Sequence, residues 1–366
     1  MTIAAAFFSA TYGRARTRFL EAACAGGYAV ESHVNPRGPG AEGEELATDT
    51  ALIGAGDAPA LLIVSSGTHG VEGFAGSGCQ LALLDDDLLR RRALDRGVAI
   101  LLVHAVNPHG FSHLRRTNED NIDINRNFRD FTAPPQVNAV YEALHPLLVP
   151  ESWPPAADGE ARLAAEMARL GDAARYGVSG GQVSRPHGLF YGGVQPAWSN
   201  DTVRAILRRH GAGRRHIAWI DVHTGLGPYG HGEKIFGSYD EATTRRALTW
   251  WGRDLILSSA PDSVSPRTIG HITPTAAQEC PWARTTLTTL EYGTFPSLVV
   301  RGALRGEAWL SGHPDAAPET AAAVRRAVRD AFYADFDDWK GMVLGQFRAL
   351  AIQTVNGLGD AVATDS

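Results

Sequence analysis

The sequence predicts an α/β fold in which a buried, mostly parallel sheet lies between helices. Three observations lead there. The runs Ala60 to Ser65 (ALLIVS), Val98 to Val103 (VAILLV), His216 to Val222 (HIAWIDV) and Thr285 to Leu290 read as strands, the first two being continuous apolar stretches of the kind covered on both faces. Helical patterns fall between them. The runs end on polar residues close to glycines, and in α/β sheets ligands collect beyond the carboxyl ends of the strands.

Each element follows in order. Thr17 to Ala25 reads as a short helix, and the Gly, Pro and Glu of Gly38 to Glu45 mark a surface loop. The first buried strand runs into the Gly-rich loop SGTHGVEGFAGSG, followed by a helix from about Ser77 to Arg92. That helix ends on Arg90, Arg91 and Arg92, where cations suit the helix dipole. The second strand closes on His104 and the turn Asn107-Pro108-His109-Gly110, and a polar loop continues to Phe128. Residues 132–213 are rich in Pro and Gly, with helical pieces at Val137 to Leu144 and Glu160 to Leu170. They read as an insertion or lid in one domain spanning 1–366. No internal repeat of twenty to fifty residues is apparent, and no low-complexity tract beyond an Ala-rich patch near Ala316 to Ala323.

Composition narrows the function. With 366 residues, 44% of them hydrophobic, the chain can bury a large core, and a formal net charge of -6 leaves no basic surplus for nucleic acid. No run of eighteen apolar residues exists to span a membrane. Met1 to Ala6 has no Lys or Arg before its short apolar run, so a secretory signal is not expected and the mature chain should start near Met1. Cys24, Cys79 and Cys280 are too scattered for a disulfide framework or a thiolate zinc site, which suits free thiols in a reducing cytoplasm. Cys79 sits in an apolar helical run and reads as buried.

The strand ends carry the chemistry. His69 and Glu72 form H-x-x-E in the loop after the first strand, a spacing that lets an imidazole and a carboxylate reach one ion. Asp221 and His223 lie on one side of the third strand by its period of two, so His223 is a candidate third ligand and Asp221 either orients a ligating histidine or anchors the neighbouring loop. Two histidines, one carboxylate and an open position suit catalytic zinc, one ion per chain. Glu291 ends the fourth strand, either as a general base for water or as a structural carboxylate that caps a helix or pairs with an arginine.

The loop after the second strand contains Arg115 and Arg116, then Asp123-Ile124-Asn125-Arg126-Asn127-Phe128. The Arg126 fork and the Asn125 amide suit a carboxylate, while Arg115 or Arg116 can polarise a scissile carbonyl. The structural alternative for these arginines is pairing with Glu119 and Asp120. His104, His109, His113, His187, His231 and His271 read mostly as structural or surface residues, with His231 a candidate near the pocket. Tyr229, Tyr239 and Tyr292 are candidate hydroxyl donors to substrate. Gly177-Val178-Ser179-Gly180-Gly181 matches the G-x-S-x-G of serine hydrolases, but no strand precedes it.

Taken together, THGVE, NPHGF with DINRNF, DVHTG and LEYGT resemble the zinc carboxypeptidase clan over about Ala60 to Ser297, with aspartoacylase and succinylglutamate desuccinylase as sister types. The resemblance implies a mixed sheet of about eight strands, with zinc on His69, Glu72 and His223 and the catalytic carboxylate on Glu291. It further implies substrate carboxylate binding by Asn125 and Arg126, with Arg116 rather than Arg115 nearest to the carbonyl-polarising arginine. The clan's mobile tyrosine has no clear counterpart. The expected activity is hydrolysis of an amide next to a free carboxylate, on a peptide or on an N-acyl amino acid. A zinc-binding module without catalysis is the non-enzymatic alternative.

Overall fold

The computed structural model describes residues 3–134, 136–237, 240–258 and 268–365. Among them one sheet is built from β1 (Ala29–Val34), β2 (Ala47–Ile53), β3 (Ala60–Ser65), β4 (Val98–His104), β5 (His216–Tyr229), β6 (Gly232–Phe236), β7 (Leu255–Leu257) and β8 (Arg284–Gly293). Their order is β1-β2-β4-β3-β5-β8-β6-β7. The middle strands β4, β3, β5 and β8 run parallel. On one flank β2 is antiparallel to β4 and β1 to β2; on the other, β6 is antiparallel to β8 and carries β7 in parallel. The predicted mixed eight-stranded α/β sheet is thus observed.

The helices are α1 (Tyr12–Ala25), α2 (Gly73–Asp85), α3 (Asp87–Asp95), α4 (Pro108–Ser112), α5 (Ala139–Leu148), α6 (Ala157–Leu170), α7 (Asp172–Ser179), α8 (Trp198–Gly211), α9 (Glu241–Trp251), α10 (Thr275–Glu279), α11 (Ser297–Gly312), α12 (Pro318–Phe332) and α13 (Asp337–Thr364). No helix among the described residues is long and apolar enough to cross a membrane.

Alternation along the middle strands feeds two cores. Leu62 and Val64 of β3, with Ile220 and Val222 of β5, pack under α1, α2, α12 and α13. Leu61 and Ile63 of β3, with Ile217 and Trp219 of β5, pack on the other face with Val203, Ile206 and Leu207 of α8. A smaller cluster joins α5, α6 and α7 to Ala308 of α11 through Tyr141, Leu144, Leu163 and Val178.

Local chemistry moves some boundaries. The helix expected over Ser77 to Arg92 is two helices: α2 starts at Gly73, and the chain breaks at Asp86, whose side chain accepts from Leu89 N at 3.0 Å and caps α3. The first helix begins at Tyr12, five residues before the expected Thr17, because Thr11 Oγ1 accepts from Arg14 N. Four strands, β1, β2, β6 and β7, were not expected from the sequence; they lie on the flanks and are short or mixed in polarity.

Candidate active site

The parallel strands point their carboxyl ends at one place. After β3 the chain turns at Gly67 (φ +64°), passes His69 and enters a 3-10 turn, Gly70–Glu72. The loop after β4 clamps that turn: Arg116 O accepts from Gly70 N at 3.1 Å and Arg115 O from Val71 N at 2.8 Å. Only glycine fits at 70, since a Cβ there would lie 2.2 Å from the Gly110 carbonyl carbon. His223 of β5 and Glu291 of β8 are register partners across adjacent strands.

His69, Glu72 and His223 are buried, and one donor atom from each lies within 4.8 Å of the others. Glu72 Oε1 is 2.9 Å from His69 Nδ1 and Oε2 is 2.8 Å from His223 Nδ1, while the two Nδ1 atoms are 3.1 Å apart. The opposite ring nitrogens face charged groups: His69 Nε2 is 3.2 Å from Asp123 Oδ1 and 2.7 Å from Arg116 Nη2, and His223 Nε2 is 2.6 Å from Asp221 Oδ2. A carboxylate on one nitrogen directs the other nitrogen's lone pair to a metal. With two imidazoles and a carboxylate converging, the donor set fits zinc.

Asp221 combines the two roles open to it. Its Oδ1 accepts from Ser65 Oγ at 2.5 Å and Thr68 Oγ1 at 2.9 Å, which ties β5 to the end of β3. Burial disfavours its charge, but His223 and these bonds hold its pKa below the usual value. Burial likewise opposes charge on Glu72, yet His69 and His223 hold it well below the ordinary range. His223 is buried too, and Asp221 and Glu72 raise it well above an ordinary histidine.

Glu291 lies in the wall of a cavity of about 530 Å³ that also includes His69, Arg116, Asn125, Arg126 and His223. Burial and the charge of Glu72 push its pKa up to about 8. Leu226 N donates to its Oε1 at 3.1 Å and orients it. A carboxyl raised toward neutrality suits proton exchange with water.

Arg116 is held by Asp123 (3.1 Å) and Glu72 (3.0 Å) and lies over the rings of Phe190 and Phe332. The expected alternative partners, Glu119 and Asp120, are not used; Asp120 pairs with Arg37. Arg115 departs from the site: it bonds Thr117 and Asn121, lies 3.5 Å from Glu307, and is not in the cavity wall. Asn125 Oδ1 accepts from Ile272 N at 2.9 Å, leaving its amide nitrogen for a ligand. Arg126 donates to Ser179 O at 2.8 and 3.1 Å and stacks on Phe190; burial brings its pKa down to about 10.

Two participants escaped the sequence reading. Asp123 touches both His69 and Arg116, and burial notwithstanding, Arg116 and His69 hold its pKa well below the usual carboxylate value. Its place at the head of DINRNF was the available signal. His271, read as structural or surface, lines the cavity with Nδ1 3.1 Å from Thr273 Oγ1, and burial lowers its pKa to about 3. His231 is not in that wall.

The tyrosines point elsewhere. Tyr292 donates to Val343 O in the core and Tyr229 donates to Asp338 at the surface; Tyr239 lies outside the described residues. Ser179 Oγ donates to Arg175 O at 2.6 Å within its own helix, and no strand precedes it, which removes the serine-hydrolase arrangement. Cys79 is buried, as expected.

The model of a family described as "Protein of unknown function (DUF2817)" matches residues 8–346. The chain belongs to the DUF2817 family. Among curated proteins none matches its sequence. Similar solved structures include carboxypeptidase A from Helicoverpa armigera, at 13% identity and TM-score 0.43, covering 87% of this chain and 73% of that one. Another is a metallo-carboxypeptidase from Burkholderia cenocepacia, at 15% and 0.42, covering 81% and 66%. A third is a metallo-carboxypeptidase from Pseudomonas aeruginosa in complex with (2-guanidinoethylmercapto)succinic acid, at 15% and 0.41, covering 92% and 68%. At these identities and TM-scores none of the likenesses bears on what this DUF2817 chain acts on.

Proposed function

We propose that this DUF2817 chain is a zinc-dependent hydrolase that cleaves an amide bond next to a free carboxylate. The observation that carries the reading is the register pairing of His223 with Glu291, which sets a buried carboxyl of raised pKa beside a three-residue ligand set in one cavity. His69, Glu72 and His223 would hold the ion. Zinc supplies Lewis acidity, polarising a carbonyl and making water more acidic.

The chain's own residues do the rest. Arg126 and the Asn125 amide bind the substrate carboxylate and orient the scissile bond. Arg116, oriented by Asp123, stabilises negative charge on the carbonyl oxygen. Glu291 takes a proton from the attacking water and passes it to the departing nitrogen. The C–N bond breaks and a C–O bond forms, giving an acid and an amine. Glu72 and Asp123 keep Arg116 charged, since together with other nearby acids they raise its pKa against burial.

Two acyl sides fit this chemistry, a peptide or a small acyl group. The N-acyl amino acid deacylase reading is supported by Met167, Val178 and Leu304 of α6, α7 and α11, which give the cavity an apolar wall suited to a small acyl group. Metal analysis, paired with a screen of N-acyl amino acids and short peptides before and after chelation, tests the proposal. About one zinc per chain and chelator-sensitive cleavage are expected. Protein that takes up no zinc, or hydrolysis indifferent to chelation, would overturn it.

A further inference from the structure

Away from the strand ends the cavity is walled by α6, α7, α11 and Leu189 and Phe190. Ser297, Val300, Arg301 and Leu304 fall at helical spacing, so one face of α11 lies along the cavity. Arg301 therefore stands among apolar side chains. It is half-buried and makes no hydrogen bond or ion pair among the described residues. Its nearest charged groups do not satisfy it: Arg305 repels it, and Glu160 is already bound by Arg305 at 2.5 Å.

The other cations of the wall contrast with it. Arg116 has two carboxylate partners and Arg126 is bonded to backbone carbonyls. Glu291 is the one carboxylate among the described lining residues. A guanidinium partly withdrawn from water, in apolar surroundings and without a partner, gains strongly from an anion.

Its position identifies which part of a substrate it meets. Glu307 of α11 accepts from Arg116 N and Thr117 N, so α11 is anchored beside Arg116, the residue on the carbonyl side. Arg301 lies six residues earlier, about 9 Å along the axis. Arg126 and Asn125 are tied instead to the end of α7 and to Ile272.

Resting on the amide-hydrolase reading above, we infer that the acyl side of the substrate carries a second anionic group, a carboxylate bound by Arg301. The carboxylate comes either from a dicarboxylic acyl chain or from an acidic residue of a peptide.

The test compares adipoyl-leucine with hexanoyl-leucine, and acetyl-Glu-Leu with acetyl-Gln-Leu, on wild type and Arg301→Gln. Wild type should prefer the charged member of one pair by roughly 10- to 100-fold in kcat/KM, as a charge-assisted hydrogen bond implies, and which pair responds identifies the source. Arg301→Gln should bring that ratio close to one, and Arg301→Glu should reverse it. Equal rates on both members in wild type, or a preference unchanged by Arg301→Gln, would overturn the inference. If no amide is cleaved, the hydrolase reading fails by itself, and calorimetric titration of the same four compounds decides the anion site. Tighter binding of the charged member that depends on Arg301 supports it, and equal affinities sink it.

Discussion

The two ends of the cavity treat charge differently. At the strand ends, Glu72, Asp123, Asp221, His69, His223 and Arg116 are buried and bonded to one another, so each group's orientation is set by a neighbour. On α11, Arg301 stands among Val300 and Leu304 with no bonded partner among the described residues. The first arrangement is preorganised: side chains are held before a substrate arrives, which is what a metal site and a proton-transfer group require. The second leaves a charge to be satisfied by what enters. On the proposed reading, the strand ends carry the chemistry and the helical wall carries selection.

The contrast can be broken at its strong end first. His223→Ala should remove zinc binding and reduce amide cleavage to background, read by metal analysis and turnover together. Glu291→Gln should keep the metal and lower kcat by roughly 10²- to 10⁴-fold; full turnover would rule out Glu291 as the base. Asp123→Asn, which leaves the ligands in place, should weaken zinc affinity by about 10- to 100-fold, measured by chelator competition.

A strand-end histidine outside the cluster sharpens the point. His104 closes β4, stacks on Phe19 and lies 3.0 Å from Ser77 Oγ; burial lowers its pKa from 6.5 to about 4. The unfolded chain therefore binds more protons between those values, and stability falls as pH drops through that window. The expected loss is about 2 kcal/mol by pH 5. Melting curves at pH 7.5 and 5 should show a shallower acid dependence for His104→Phe than for wild type. The smallest effect belongs to the wall: Phe190 lies under both Arg116 and Arg126, and Phe190→Ala should raise KM roughly threefold to tenfold.

What could be read in advance follows the same division. The four middle strands were legible because burial on both faces leaves a continuous apolar signature, whereas β1 (AVESHV) and β6 (GEKIF) lie toward the edges and mix polarity. Asp49 of β2 is fully buried with Arg16 of α1 at 2.7 Å and Ser32 of β1 at 2.5 Å, pairings that local pattern does not reveal. At the site, His69, Glu72, His223 and Glu291 stand at strand ends and could be found one by one. Asp123 meets His69 across 54 positions, and Arg115 turns to Glu307 on a distant helix. The resemblance favoured Arg116 over Arg115, but the physical reason, that Arg115 faces Glu307 of α11, is not in the local sequence. Arg301 went unnoticed because it sits within an ordinary helical pattern, and only the cavity gives it meaning.

The last helix has a consequence for synthesis. α13 places Trp339, Val343, Phe347, Leu350 and Val355 in the core shared with β3, β4, β5 and β8. Those strands, and every residue of the ligand set, leave the ribosome before α13 does. Until then the face that α13 shares with α1, α2 and α12 is only partly covered, so the nascent chain passes through a stage with exposed apolar surface, prone to aggregation and suited to chaperone binding.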